Sequence, residues 1–164
     1  MTENNNSQIK YIVTDPCYLL PDDIWDKCCE VFKDDDETKY DRFDEEVSKA
    51  LSDFTGFPAY ACGTGFGDWD NSIWGDGVIK HDFVADAGMV CVCRLTDKVL
   101  QHLKEKYEEA DIYSGLALFE MSENIRVDFD TSDPNWTVVK IEDLQTGETI
   151  RSEYADEDEE DYWG

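Results

Sequence analysis

The hydrophobic pattern of the chain changes at Pro58, and this change limits the folds that the sequence can adopt. Before Pro58, apolar residues recur at the spacing of amphipathic helices. A first helix is predicted after Pro21, with an apolar stripe formed by Ile24, Trp25, Cys28, Val31 and Phe32. A second is predicted over residues 41–54, with one face formed by Phe43, Val47, Leu51 and Phe54. After Pro58 the chain consists of short aromatic and β-branched segments that Gly and Asp interrupt, which is typical of strands.

The remaining elements follow from the same patterns. Strands are predicted over residues 9–14, 59–65, 78–84, 89–95, 112–121, 125–129, 137–141 and 148–152. Thr96 is a suitable cap for a third helix that reaches about Tyr107, and Thr146-Gly147 is expected to turn the chain into the last strand. The hairpin-like spacing favours antiparallel pairing, so the predicted fold class is α+β, with a mostly antiparallel sheet and about three helices. A single domain over residues 9–152 is expected, between a flexible N-terminus (1–8) and a disordered acidic tail (153–164).

Charge narrows the possible partners. The 164 residues include 40 Asp and Glu against 14 Lys and Arg, which gives a formal charge of −26 at pH 7. Such a chain is poorly suited to bind a phosphate backbone or an anionic membrane directly, since both need Lys and Arg. A basic protein partner, a bound cation or a role as a polyanion is expected instead. The predicted binding surface consists of acidic residues from three segments. These are the loop residues Asp34, Asp35, Asp36 and Glu37, the residues Asp128, Asp130 and Asp133 on and after a predicted strand, and the tail residues Asp156, Glu157, Asp158, Glu159, Glu160 and Asp161.

The apolar segments and cysteines indicate a cytoplasmic protein. No run of about 18 apolar residues is present, and the polar first residues do not resemble a secretion signal. The six cysteines are therefore expected to be reduced. Cys91 and Cys93 alternate on one predicted strand and so face the same side, where core packing is favoured over half of a thiolate metal site.

Residues 60–88 form an unusual stretch rich in Gly and Asp. Turn chemistry is the favoured interpretation, because Gly, Asn and Asp dominate turns. The segment Gly63-Thr-Gly-Phe-Gly67 superficially suggests a phosphate loop. However, no Lys follows it, and the nearby aspartates would repel phosphate.

A cation site in this stretch is a second interpretation. Asp68, Asp70 and Asp76 fall at the first, third and ninth positions of a calcium loop. Ile73 and Ile79 occupy the positions that need Gly and Glu, which excludes an EF-hand. An irregular divalent-cation site at these three aspartates remains open, and no other cofactor is expected.

Distant carboxylates provide a third interpretation. Asp15, Asp76 and Asp86 would form a catalytic group if the fold brought them into one cleft, because neighbouring carboxylates shift each other's pKa values toward acid and base roles. Cys17, which follows Pro16 in a predicted turn, is a candidate nucleophile beside them.

Three of these segments are similar to short motifs of a known group of proteins. Asp15-Pro16-Cys17-Tyr18, Gly75-Asp76-Gly77 and Ala85-Asp86-Ala87-Gly88 resemble the D-P-C-Y, G-D-G and V-D-[SA]-G motifs of a group of small proteins from bacteria and their phages. Ala85 departs from the Val of that pattern. The resemblance spans roughly residues 11–95 and implies a shared site or turn framework without an activity, while phage occurrence favours an anti-defence role.

The primary hypothesis is a non-catalytic acidic binding protein. It would be a phage or mobile-element inhibitor of the anti-CRISPR or DNA-mimic type, which occupies a basic groove of a nucleic-acid-handling protein. One alternative is an immunity protein against a basic nuclease toxin. Others are a small metal-assisted hydrolase that uses Asp15, Asp76 and Asp86, and a structural or regulatory protein that depends on a divalent cation.

Overall fold

Three helices cover one of two antiparallel sheets in the part of the chain that the structure describes, which gives an α+β fold. A computed structural model describes residues 9–33, 37–63, 69–75, 77–85, 89–108, 115–132 and 137–154. Its helices are α1 (Asp22–Cys29), α2 (Lys39–Thr55) and α3 (Asp97–Lys106), with short 3-10 turns at Pro16–Tyr18 and Glu30–Lys33. Its strands are β1 (Ile9–Thr14), β2 (Tyr60–Gly63), β3 (Trp69–Gly75), β4 (Val78–Lys80), β5 (Asp82–Ala85), β6 (Met89–Arg94), β7 (Ala117–Met121), β8 (Ile125–Asp130), β9 (Val138–Asp143) and β10 (Thr149–Tyr154).

The strands form two five-stranded sheets. Sheet A has the order β2-β6-β1-β7-β4, and sheet B has the order β5-β3-β10-β9-β8. Neighbouring strands pair antiparallel in both sheets. The fold class predicted from the sequence is therefore confirmed.

Two hydrophobic cores separate three layers. On β1, Ile12 belongs to the core between sheet A and the helices, and its neighbour Val13 belongs to the core between the sheets. Both side chains are fully buried. Successive side chains of a strand point to opposite faces, so the central strand of sheet A is apolar on both faces. The layers therefore run from helices to sheet A to sheet B, and the outer face of sheet B has no helix over it among the described residues.

Local signals set the ends of the helices. The Thr96 hydroxyl accepts a hydrogen bond from the Val99 backbone N–H at 3.2 Å, which confirms the predicted cap of α3. Helix α2 ends at Gly56, whose φ of +82° is a left-handed conformation that glycine adopts without strain. Thr96 therefore defines the start of α3, and Gly56 defines the end of α2.

The Gly- and Asp-rich stretch contains more strand structure than the sequence indicated. Strand β3 was not predicted, and the single strand predicted over residues 78–84 is two strands, β4 in sheet A and β5 in sheet B. Gly77, at φ +84°, lies so close to sheet A that an added Cβ would be 2.6 Å from the Glu120 carbonyl oxygen. The chain crosses between sheets here because Gly77 permits that close approach.

The two ends of the chain are described only in part. Strand β10 continues to Tyr154, two residues beyond the predicted end of the domain at residue 152, and the rest of the predicted tail lies outside the described residues. Among the helices that the structure describes, none is long and apolar enough to cross a membrane.

Candidate binding surfaces

Asp15, a predicted catalytic carboxylate, forms a turn at the end of β1. Its side chain is fully buried, and its Oδ1 accepts a hydrogen bond from the Cys17 backbone N–H at 2.9 Å. This bond caps the Pro16–Tyr18 turn. The aspartate of the D-P-C-Y segment thus has a structural role in this turn.

Cys17 lies at a junction of three elements. The Lys106 ammonium group at the end of α3 donates to the Cys17 carbonyl oxygen at 2.9 Å and is 4.0 Å from a carboxylate oxygen of Asp22 at the start of α1. Lys106 therefore connects the turn to both helices. Asp76 and Asp86, the other members of the predicted catalytic group, lie outside the described residues.

Cys91 and Cys93 are both buried in the core between sheet A and the helices. Burial, together with the neighbouring Cys93 thiol, raises the pKa of Cys91 well above its usual value. Both residues are therefore core side chains, as the alternation on β6 predicted.

The cation hypothesis concerns residues that are mostly not described. Asp68 and Asp76 lie outside the described residues, and of Asp70 only its position on β3 is described. Within the described part of the chain, no three His, Cys, Asp or Glu side chains are grouped in a way that could hold a metal ion.

Asp128 and Asp130 lie on the outer face of sheet B beside cations. A carboxylate oxygen of Asp128 is 3.4 Å from Arg126 Nε, and one of Asp130 is 3.5 Å from Lys140 Nζ. Hydrogen bonds from Ser132, with a smaller contribution from Lys140, lower the pKa of Asp130 to about 2. Asp130 therefore stays ionised near neutral pH, and adjacent cations offset the charge of both carboxylates. Asp133 lies outside the described residues.

The helices carry exposed carboxylates with less compensation. Residues 22–55 contain 13 acidic residues against five basic ones. Trp25 of α1 packs edge-on against Phe43 of α2, with ring centroids 5.5 Å apart, which fixes the two helices together. We define the helix acidic surface as six exposed residues of this region: Asp22, Asp23, Asp26, Glu37, Asp41 and Glu45.

Only part of this surface was predicted. Glu37 is exposed, as expected, whereas Asp34, Asp35 and Asp36 lie outside the described residues. Asp41 and Glu45 were not predicted as binding residues. Their separation by four positions on a helix places two like charges on one exposed face, a signal that the sequence contains.

A cleft of about 730 Å³ between α1, the Glu30–Lys33 turn and α2 has a mixed lining. Its charged residues are Lys27, Glu30, Lys33, Arg42, Glu46, Lys49 and Asp53. Four of the five basic residues of this region therefore line the cleft.

The carboxyl group of Asp44 on α2 has a pKa well above its ordinary value. Burial, together with Asp41 and Glu45, raises its pKa to about 6, although a hydrogen bond with the Gly63 backbone favours the charged form. The adjacent Cys62 thiol has its pKa raised to about 11 by burial and by the Asp44 charge. Asp44 was not predicted, because its burial between α2 and the end of β2 depends on tertiary packing.

The outer face of sheet B combines cations with an exposed aromatic ring. We define the open sheet surface as six residues of this face: Trp74, His81, Arg126, Lys140, Glu142 and Arg151. Trp74 is 50% exposed and stacks on His81, with ring centroids 4.4 Å apart. A groove of about 310 Å³ on this face is lined in part by Arg126, Lys140 and Arg151, the last of which is the register partner of Trp74.

Comparisons of the chain with models of protein families, with curated proteins and with solved structures find no match. The function is therefore inferred from the chemistry of these surfaces.

Proposed function

We propose that the protein is a non-catalytic acidic binding protein that occupies a basic groove of a nucleic-acid-handling protein. The observation that supports this function is the uneven distribution of compensated charge. Carboxylates on the outer face of sheet B pair with Arg126 and Lys140. Residues 22–55, by contrast, contain 13 acidic residues and only five basic ones.

The spacing of the helix acidic surface suits such a partner. Residues four apart on a helix have Cβ atoms about 5–6 Å apart, so Asp41 and Glu45 present two negative charges at close and regular separation. A groove that binds nucleic acid presents Lys and Arg side chains to closely spaced phosphates. A rigid helix with this charge pattern can compete for those side chains.

Long-range attraction would make the complex form quickly and depend strongly on salt. Complementary charges raise association rates, and salt screens exposed charges over about 10 Å at 0.1 M. On the basis of the resemblance to phage proteins, we further propose that the partner is a host defence enzyme in the cytoplasm and that binding inhibits it.

Capture from host lysate at low salt, followed by competition, tests the function. The immobilised protein should retain a basic nucleic-acid-binding protein that is released by about 0.5 M salt, where screening acts within a few Å. Duplex DNA should also release it, because DNA and this protein would use one groove. Recovery of no basic partner, or a partner that DNA does not displace, would contradict the proposal.

A further inference from the structure

Two cations face each other directly on the open sheet surface. Arg151 of β10 is the register partner of Lys140 of β9. Like charges directly opposite each other on a sheet are destabilising. The chain has 40 acidic residues and 14 basic ones, so a carboxylate opposite each cation would be the more stable arrangement.

The surrounding carboxylates compensate only part of this charge. Arg126 Nη2 is 2.6 Å from a carboxylate oxygen of Glu142, and Arg126 also pairs with Asp128. Lys140 pairs with Asp130. Arg151 is exposed and has no carboxylate partner among the residues that the structure describes. It is therefore an exposed cation next to a second cation.

An aromatic ring lies on the other side of Arg151. Trp74 of β3 is the register partner of Arg151 across the β3–β10 pair, so Trp74, Arg151 and Lys140 form one straight row across three strands. Ile73 is fully buried, and alternation therefore directs Trp74 outward, where half of its surface is exposed.

His81 holds the Trp74 ring in place. His81 stacks on Trp74 at an interplanar angle of 27°, and its Nδ1–H donates to the Ile73 carbonyl oxygen at 3.0 Å. An exposed tryptophan held in this way is a preformed stacking platform, which lowers the entropy lost when a flat ring binds to it.

We propose that the open sheet surface binds a nucleoside monophosphate. The phosphate would accept hydrogen bonds from the Arg151 guanidinium, with Lys140 adding a second positive charge, and the base would stack on Trp74. Guanidinium groups bind phosphate through paired hydrogen bonds, and stacking on an aromatic side chain tolerates any base. Phosphate would also neutralise the otherwise unfavourable Arg151–Lys140 pair.

The surroundings favour a single nucleotide over a polymer. The groove has a volume of about 310 Å³, and Asp128 and Glu142 line it together with the cations. A nucleic-acid strand that continued beyond one phosphate would meet these carboxylates and the repulsion of a chain with a charge of −26. The site lies on the opposite layer from the helix acidic surface, so the two proposals can fail independently.

Titration of the full chain with AMP, adenosine and inorganic phosphate, followed by calorimetry and by the indole N–H signals in NMR spectra, tests the site. AMP should bind about tenfold or more tightly than either fragment, because stacking and the charge contacts each contribute. Arg151→Gln and Trp74→Ala should each weaken AMP binding by about tenfold, while Trp74→Phe retains most of it. Lys104→Gln, which removes an exposed charge from α3, is the matched control and should leave the affinity within about twofold.

Two results would overturn the proposal. One is AMP binding that is absent or no tighter than phosphate binding. The other is an affinity for AMP that Arg151→Gln changes no more than Lys104→Gln does. Circular dichroism of each variant shows whether the fold is retained, and the Trp74→Phe variant provides a substitution in which ring packing against His81 is preserved.

Discussion

The two sheets have the same number of strands and the same antiparallel pairing, yet their outer faces differ in chemistry. The outer face of sheet A is apolar and covered by helices, with Ile12, Cys91 and Cys93 in the shared core. The outer face of sheet B exposes Trp74 and Lys140 to solvent. A covered sheet thus has little contact with solvent on that face, and the helices over it, α1 and α2, present exposed carboxylates such as Asp23 and Asp41.

This difference has a consequence for binding. On sheet B, Arg126 and Lys140 pair with carboxylates of the same sheet, and Arg151 is an exposed cation at the open sheet surface. The helical layer presents exposed carboxylates in a region, residues 22–55, where 13 acidic residues stand against five basic ones. One strongly acidic chain can therefore present two surfaces of different chemistry, one for a basic partner and one for a small anion.

Truncation of a side chain on the covered face should have the largest effect on stability. Leu51 is fully buried between α2 and sheet A, so Leu51→Ala should lower the free energy of unfolding by about 2–5 kcal/mol. Ile79, which is 53% exposed, provides the matched control, and Ile79→Ala should cost less than about 0.5 kcal/mol. Urea denaturation measures both, and equal losses would contradict the burial of Leu51 in the core between the helices and sheet A.

Two aspartates of sheet B should differ strongly in their effect on folding. Asp143 is fully buried and accepts hydrogen bonds from the Ser122 backbone N–H and hydroxyl and from the Gln145 and Thr146 backbone N–H groups. Asp143→Ala would leave these donors without an acceptor and should cost about 2–4 kcal/mol in chemical denaturation. Asp130→Ala, on the exposed outer face, should shift the denaturation midpoint much less, because solvent weakens the contacts of Asp130 with Ser132 and Lys140.

Asp143 should also make the stability of the protein sensitive to acid. Burial acts to raise the pKa of Asp143, but the hydrogen bonds from Ser122, Gln145 and Thr146 outweigh it and lower the pKa. Its stabilising contribution is therefore present above the unfolded-state pKa of about 3.9 and is lost as pH falls through the lower folded-state pKa. Below about pH 4, the stability difference between the wild type and Asp143→Ala should shrink, and a constant difference would contradict this role.

The contribution of Asp44 to stability should change with pH in the opposite direction to that of Asp143 and should be smaller. Its pKa of about 6 lies above the usual value of 3.8, so the charged form is disfavoured in the folded protein. The wild type therefore loses stability as pH rises from about 4 to 6, and Asp44→Asn should be more stable than the wild type at pH 7.5 by about 1 kcal/mol after allowance for solvent screening. Thermal melts at pH 7.5 and pH 4.5 measure this gain, which should nearly vanish at the lower pH. A lower stability of Asp44→Asn at pH 7.5 would show that the Gly63 hydrogen bond outweighs burial.

Periodicity predicted those parts of the fold that local sequence determines. The stripe of Val47 and Leu51 and the cap at Thr96 correspond to α2 and α3, and the alternation of Cys91 and Cys93 correctly indicated two core side chains. Strand β3 was not predicted, because Gly and Asp residues flank it. In addition, one of its two partner strands, β10, lies far from it in the sequence. The division of residues 78–84 between two sheets depends on the close approach of Gly77 to Glu120, which no local pattern shows.

The candidate surfaces were less predictable. The sequence shows that Asp128 and Asp130 share a strand face, but their pairing with Arg126 and Lys140 depends on strand register. The row of Trp74, Arg151 and Lys140 likewise joins residues from three strands and exists only after the sheet has formed. Asp41 and Glu45 could have been identified by their helical spacing alone.

The most direct test of the central proposal compares two charge-matched double variants. Asp41→Asn with Glu45→Gln removes two charges from the helix acidic surface, and Asp128→Asn with Glu142→Gln removes two from the outer face of sheet B. The affinity of each for the captured basic partner is measured at 50 mM salt. We predict that the helix variant binds about tenfold or more weakly than the wild type and that the sheet variant stays within about threefold. Equal losses, or a larger loss for the sheet variant, would contradict the proposal that the helices carry the binding surface.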